Sequence, residues 1–140
     1  MKQEVIDVLM SHTQFEGNEE CGVLMGSHVG ENRYRICKVS PPCVRQNARC
    51  VCERDAEMAN RFIKDDFEQS ENTRFYIGEW HTHPENSPTP SAVDCRSIED
   101  NYHSASLVVP FLLMVIVGRE SFYISVYNGK EFVKVEPEVV

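Results

Sequence analysis

Apolar residues recur along this chain with two different spacings, one typical of helices and one typical of strands. Three segments place apolar residues on one helical face, and six short segments are alternating or continuously apolar, as in strands. The predicted helices cover residues 2–13, 55–69 and 91–103, and the predicted strands cover residues 21–26, 33–39, 74–81, 111–117, 121–127 and 130–136. Residues 40–52 follow neither spacing and contain Pro41 and Pro42, so we expect a loop there.

The order of these elements predicts an α/β sandwich in which helices cover a mixed β-sheet, because the strands are interrupted by helices along the chain. Between the last two predicted strands, Asn128 and Gly129 predict a tight type I′ turn, since both residues tolerate positive φ angles. A chain of 140 residues is most simply one domain, so we assign residues 1–140 to a single unit.

Composition narrows the possible partners and the compartment. The formal net charge is −8, and an acidic surface repels phosphate backbones, so we expect no nucleic-acid partner. The longest apolar run, residues 107–117, is shorter than the roughly 20 residues that cross a bilayer, and residues 1–15 lack the apolar core of a signal peptide. We therefore expect a cytoplasmic protein without a membrane partner, whose six cysteines are reduced thiols.

Two histidines stand at the end of a predicted strand. His81 and His83 are two positions apart, so their side chains point to the same face, and Pro84 favours an extended conformation at His83. Neutral imidazoles fixed on one strand end are good ligands for Zn²⁺, but a catalytic zinc ion requires a third protein ligand. A histidine pair at a strand end is also common on protein surfaces, so the pair alone carries little weight.

A candidate third ligand follows a short proline-rich loop, and it has two interpretations. Ser91 and Asp94 form an S-x-x-D pattern, which is typical of a helix that begins with a capping box. The same loop, residues 84–90, must return the helix to the strand end, which brings Asp94 within reach of the imidazoles. Two nitrogen ligands, one oxygen ligand and an open position describe a hydrolytic zinc site.

These motifs together resemble the JAMM zinc metalloproteases, also called the MPN-plus or JAB-domain family, which include deubiquitinases. H-x-H-P followed by S-x-x-D is their signature, and their upstream E-x-C-G-x-L-x-G pattern is matched by residues 19–26. The stretch at residues 76–91 is most similar to small bacterial members, some of which belong to anti-phage CBASS operons. The resemblance implies a JAMM/MPN-type (cytidine-deaminase-like) sandwich.

The resemblance also implies a role for each residue of the motifs. One catalytic zinc ion would be bound, Glu19 would act as the base, and Ser91 would help to hold the oxyanion. The implied zinc ligands are His81, His83 and Asp94.

Two other acids and three cysteines are further candidates for functional residues. Glu20 is adjacent to the matched glutamate, and Glu79 shares a strand face with the first histidine, so we expect Glu79 to be structural or to contact a histidine. A second, structural zinc site would need Cys43, Cys50 and Cys52, but their spacing is not the usual pair, and we do not predict one.

The family implies a zinc-dependent isopeptidase or peptidase that cleaves after the C-terminal glycine of its substrate. The expected partner is a protein with an extended C-terminal tail, either ubiquitin-like or a conjugated nucleotidyltransferase, bound beside the sheet by β-augmentation. Two alternatives stay open: a processing peptidase for a ubiquitin-like sulfur-carrier protein, and a catalytically inactive scaffold with the same fold. The sequence does not define the oligomeric state.

Overall fold

The structure is a computed structural model that describes residues 1–140, and it contains three helices and eight strands. Both the helices and the six strands of the main sheet form where the apolar spacing predicted them. The elements are α1 (Gln3–Ser11), β1 (Cys21–Gly30), β2 (Arg33–Val39), β3 (Val44–Ala48), β4 (Val51–Arg54), α2 (Ala56–Gln69), β5 (Phe75–Thr82), α3 (Ala92–Ser104), β6 (Leu112–Val117), β7 (Phe122–Tyr127) and β8 (Phe132–Lys134).

The main sheet has six strands in the order β2-β1-β5-β6-β7-β8. Only β5 and β6 are parallel, and the other neighbours are antiparallel, so the sheet is mixed. Strand β6 reads as one apolar run because all of its residues are buried between layers on both faces. Central strands β1, β5 and β6 bring their ends together at one edge of the sandwich.

Helices cover both faces of this sheet. Helix α1 buries Val5 and Leu9 in one core, which also holds Trp80. Helices α2 and α3 bury Ala59 and Ile98 in a second core on the opposite face. The predicted α/β sandwich with a mixed sheet is thus confirmed. None of the three helices is long and apolar enough to cross a bilayer.

The expected loop at residues 40–52 is wrong, because this region folds into a β-hairpin of its own. Strands β3 and β4 pair with each other and not with the main sheet. Most of their side chains are exposed or half-buried, so neither strand has a buried face that would impose an alternating apolar pattern. We call Val44–Arg54 the β3–β4 hairpin.

A disulfide between Cys21 and Cys52 joins the hairpin to β1. The expectation that all six cysteines are thiols is therefore wrong for this pair, which lies 31 positions apart in the sequence. A thiol count alone could not indicate it, because the contact arises only when the hairpin folds beside β1. Of the other two cysteines considered for a second metal site, Cys43 is buried and Cys50 is exposed.

The predicted type I′ turn is also wrong. Only Gly129 has a positive φ, of 93°, whereas a type I′ turn requires positive φ at both central residues. Residues 128–131 form a four-residue connection, in which the Asn128 side-chain oxygen accepts hydrogen bonds from the backbone N–H groups of Lys130 and Glu131, both at 3.0 Å. The asparagine therefore stabilises the turn through its side chain rather than through a left-handed backbone.

Candidate metal centre

The predicted site residues meet at the end of strands β1 and β5. Cys21 lies opposite His81 in the antiparallel register, so Glu19, just before β1, is placed beside the histidine end of β5. Helix α3 starts at this same end, which returns Asp94 to the histidines as the short loop predicted. Ligand atoms of Glu19, His81, His83 and Asp94 all lie within 4.8 Å of one another.

Three of these atoms form a nearly equilateral triangle. Nε2 of His81 lies 3.2 Å from Nε2 of His83, and Oδ2 of Asp94 lies 3.3 Å and 3.2 Å from these two nitrogens. Ligand atoms in a tetrahedral zinc site, with bonds of about 2.0–2.1 Å, are separated by roughly 3.3–3.4 Å. Both the donor types and their spacing therefore fit a zinc ion with one open position.

Asp94 satisfies both interpretations of the S-x-x-D pattern. Its Oδ2 accepts a hydrogen bond from the Ser91 backbone N–H at 2.8 Å, and its own N–H donates to Ser91 Oγ at 3.0 Å, which completes a capping box. The same oxygen faces both imidazoles. Burial alone would raise the pKa of Asp94, but hydrogen bonds from His81 and His83 lower it well below its usual value.

Glu19 is held by the β3–β4 hairpin, which sequence patterns did not reveal. Its N–H donates to the Ala48 carbonyl at 2.8 Å, and Nδ2 of Asn47 donates to its carbonyl at 2.8 Å. Glu19 as a whole is 3% exposed, and no protein group donates to its Oε2. Burial raises the pKa of Glu19 to about 7, although His83 opposes this rise. A buried carboxyl with a free oxygen and a pKa near neutrality is suited to proton transfer.

Glu85 is a member of the site that the motif analysis missed. Its Oε1 lies 2.8 Å from Nδ1 of His83, which leaves Nε2 of that ring for the triangle. Burial would lower the pKa of His83, but hydrogen bonds to Asp94 and Glu85 raise it. A carboxylate on the far nitrogen orients a ligand imidazole and increases its basicity. The acid two positions after the second histidine was the available signal.

A network of hydrogen bonds around Thr82, the last residue of β5, ties the end of this strand to the residues just before β1 and to the hairpin turn. Thr82 Oγ1 accepts from the Glu20 N–H at 3.0 Å and donates to Oε1 of buried Gln14 at 3.2 Å. Gln14 also donates to the carbonyl of Arg49 in the hairpin turn at 2.8 Å. No sequence pattern indicates this role, because a glutamine in a loop has no distinguishing neighbours.

Glu20 and Glu79, the two acids considered beside Glu19, have contacts outside the triangle of ligand atoms. Oε2 of Glu20 lies 3.1 Å from Nδ1 of His12, away from the triangle. Oε1 of Glu79 accepts from the Tyr76 hydroxyl at 2.8 Å and lies 2.7 Å from Nε of Arg54. Glu79 therefore contacts no histidine, contrary to one of the two expectations. Burial raises the pKa of Glu79 to about 7, while Arg54 acts to lower it.

Ser91 lies at the exposed N-cap of α3. Its Oγ accepts one hydrogen bond from Asp94, and a hydroxyl with an accepted bond still has a proton to donate. A role in holding an oxyanion stays a prediction.

A cavity of about 370 Å³ opens beside the four-residue cluster. It follows helix α3 from Asp94 to Asn101, and the opposite wall is formed by β4 and β5, with Arg54 and Glu79 at the far end. We call it the α3 cleft.

Comparison with known proteins gives concordant matches. Residues 2–131 match the family model described as "Prokaryotic homologs of the JAB domain". Proteins named "CD-NTase/cGAS isopeptidase" match with 36% identity in Vibrio cholerae, 31% in Escherichia coli and 29% in Pseudomonas aeruginosa. These alignments cover 86%, 98% and 91% of this chain and 76%, 86% and 81% of the relatives.

The fold has a counterpart among solved structures. The solution structure of a Desulfitobacterium hafniense protein aligns with a TM-score of 0.72 and 19% identity, over 100% of this chain and 93% of that chain. At this identity the likeness supports the fold alone.

Proposed function

Because this chain belongs to the prokaryotic JAB-domain family and its relatives are named isopeptidases, we propose that it is a zinc-dependent isopeptidase acting on a conjugated CD-NTase. The family resemblance inferred from the histidine and serine–aspartate motifs is confirmed by these matches. The proposed substrate is a CD-NTase whose C-terminal carboxyl is joined to a lysine amine of a second protein. The observation that carries the proposal is the convergence of two imidazoles and two carboxylates within 4.8 Å.

His81, His83 and Asp94 are the residues that would hold the metal, and Glu85 would orient the second ring. When bound, zinc acts as a Lewis acid that polarises a carbonyl and lowers the pKa of a water molecule from 15.7 to about 7. The chain's own contribution is the shape and charge of the site.

Glu19 is positioned to move the proton. Its unpaired Oε2 can take a proton from the attacking water and then pass that proton to the departing amine, and burial, which raises the pKa of this carboxyl, helps it to hold the proton between the two steps. Its backbone is held at both polar groups by the hairpin, so the carboxyl is oriented before the substrate arrives. Ser91 would donate a hydrogen bond from its hydroxyl to the oxyanion, a contribution worth about 3–4 kcal/mol for a well-placed donor.

The proposal is tested with a purified conjugate of a CD-NTase to a lysine-bearing protein. We expect cleavage that stops when a chelator removes zinc and returns when zinc is restored. Glu19→Gln should keep one zinc ion per chain and lose activity by about 10²–10⁴-fold, the usual contribution of general acid–base catalysis. Glu20→Gln is the matched control, because that neighbouring acid contacts His12 instead, and it should retain activity.

One further substrate and two contrary outcomes complete the design. A ubiquitin-like sulfur-carrier precursor tests the alternative substrate, and its preferred cleavage would replace the CD-NTase assignment. Cleavage that is insensitive to the chelator, or equal in Glu19→Gln and the parent, would overturn the zinc-dependent mechanism.

A further inference from the structure

The β3–β4 hairpin has no buried apolar face that would fix it to the rest of the protein. All of its residues are exposed or half-buried, and none belongs to either hydrophobic core. Its two strands pair only with each other, and an isolated two-stranded hairpin is at best marginally stable in water. The position of the hairpin beside the sheet therefore depends on a small number of individual bonds.

These bonds are of two kinds. The polar ones are hydrogen bonds from the hairpin turn to Gln14 and Glu19 and the ion pair that Arg54 forms with β5. The covalent one is the disulfide between Cys21 and Cys52. A hydrogen bond adds little net stability where water can replace the partner, so the disulfide is the bond that restricts the hairpin most.

The disulfide is attached close to the residue proposed to transfer the proton. Cys21 is the first residue of β1, two positions after Glu19. The backbone N–H and carbonyl of Glu19 are bonded to Ala48 and Asn47, which lie in the hairpin. A hairpin that moves away from β1 therefore removes the groups that orient the Glu19 backbone.

A reductant can reach this bond through the α3 cleft. Both cysteines line the cleft, and Cys52 is half-buried whereas Cys21 is buried, so an attacking thiolate meets Cys52 first. The attack forms a mixed disulfide and releases Cys21 as a thiolate, which takes a proton. The second thiol of a dithiol reductant then displaces Cys52, so two electrons pass to the protein and the reductant becomes a cyclic disulfide.

From these contacts we propose that Cys21 and Cys52 form a thiol–disulfide switch, which controls activity by fixing or releasing the β3–β4 hairpin beside Glu19. The disulfide form is active, and the dithiol form loses the orientation of Glu19. A dithiol reductant turns the enzyme off, and a small disulfide, which is itself reduced to two thiols, restores it. This inference adds a regulation to the proposed isopeptidase function and rests on it.

The first test compares cleavage of the conjugate described above by the two redox forms. The reductant is a water-soluble phosphine, which takes an oxygen from water as the disulfide becomes two thiols; dithiols are avoided because thiolates bind zinc. Alkylation should count four free thiols before reduction and all six afterwards. We expect reduction to lower kcat about 10-fold or more, short of the 10²–10⁴-fold for complete loss of general acid–base catalysis. Oxidised glutathione, added after the phosphine is removed, should restore kcat.

The second test observes the hairpin without any substrate. Backbone ¹⁵N order parameters of Ala48 and Glu19 should be about 0.85 in the disulfide form and below about 0.6 in the dithiol form. Val115, in the buried strand β6, should stay near 0.85 in both forms. Zinc content should be one ion per chain throughout, because the ligand side chains bond to one another, to Glu85 and to Ser91 rather than to the hairpin. A rigid hairpin after reduction, or a loss of zinc, would overturn the inference.

Cysteine variants separate this pair from the other thiols. Cys52→Ser should have the low kcat of the reduced parent with or without the phosphine. Cys50→Ser is the matched control, because it removes an exposed thiol of the same hairpin, and it should respond to the phosphine as the parent does. A Cys52→Ser protein with the activity of the oxidised parent would contradict the switch, as would a Cys50→Ser protein that no longer responds.

The outcomes also separate this inference from the function on which it rests. Equal cleavage of the conjugate by the oxidised and the reduced parent refutes the switch alone and leaves the isopeptidase assignment in place. If neither form cleaves the conjugate, the proposed function fails and takes this inference with it.

Discussion

Replacing Asp94 with alanine should separate the two functions of its carboxylate. The change removes half of the capping box, which costs about 1 kcal/mol, and removes a negative charge at the N-terminus of α3, which costs about 0.3–1 kcal/mol. In metal-free protein we therefore expect a loss of roughly 1–2 kcal/mol. For a chain of this size, that loss lowers Tm by about 3–8 °C.

Zinc should increase this difference. A ligand at 100 times its Kd stabilises the folded state by about 2.7 kcal/mol, and Asp94→Ala should lose this gain because one vertex of the ligand triangle is missing. The zinc-loaded parent should thus exceed the variant by roughly 4–5 kcal/mol. The measurement is the thermal unfolding of both proteins with chelator and with zinc, together with zinc content per chain.

Ser91→Ala is the control for the cap. It removes the other half of the capping box but no ligand atom, so its metal-free Tm should fall by a similar amount while its response to zinc stays intact. If Asp94→Ala still binds one zinc ion and shows the parent's increase in Tm, then Asp94 is a helix cap only and the metal site is wrongly assigned.

Three further predictions concern other parts of the site. In metal-free protein the carboxyl of Glu19 should titrate near pH 7 when followed by ¹³C NMR, since burial raises its pKa. Zinc should lower this midpoint because a nearby cation favours the ionised carboxylate. A midpoint near 4.5 without zinc would contradict the burial argument. Glu85→Ala should weaken zinc affinity by about 10–100-fold through loss of the hydrogen bond to His83, measured by competition with a chelating dye, and unchanged affinity rejects this role. Cys52→Ser should reduce the free energy of unfolding by about 2–4 kcal/mol in urea, whereas Cys50→Ser, at an exposed free thiol, should not; equal stability of the two variants rejects the disulfide.

Apolar spacing was sufficient to predict the six-stranded sheet and its helices, because each of those elements buries one face or both. The histidine pair was predictable for a related reason: a period of two places His81 and His83 on one face whatever the surroundings. Asp94 was ambiguous because a capping box and a ligand require the same residue at the same position. The structure shows that the two requirements are compatible at a single carboxylate.

Other parts of the site depend on contacts that no local pattern encodes. Asn47 reaches Glu19 across 28 positions, and the disulfide joins residues 31 positions apart. Both belong to the β3–β4 hairpin, whose exposed side chains leave no apolar period to detect. Glu85 is close to His83 in the sequence, but this proximity does not predict a role. An acid two residues after a histidine becomes informative only when the structure shows that it contacts Nδ1 of the ring while Nε2 faces the proposed metal site.

The way the hairpin holds Glu19 bears on how this protein family can diversify. Ala48 contributes only its main-chain carbonyl to the hold on Glu19, and most neighbouring hairpin side chains point to solvent. Apart from Asn47, whose side chain donates to the Glu19 carbonyl, those outward positions can therefore mutate without displacing the residue proposed to transfer the proton. Because β4 also forms a wall of the α3 cleft, related proteins can acquire new preferences for a tail by altering this hairpin while the chemistry stays unchanged.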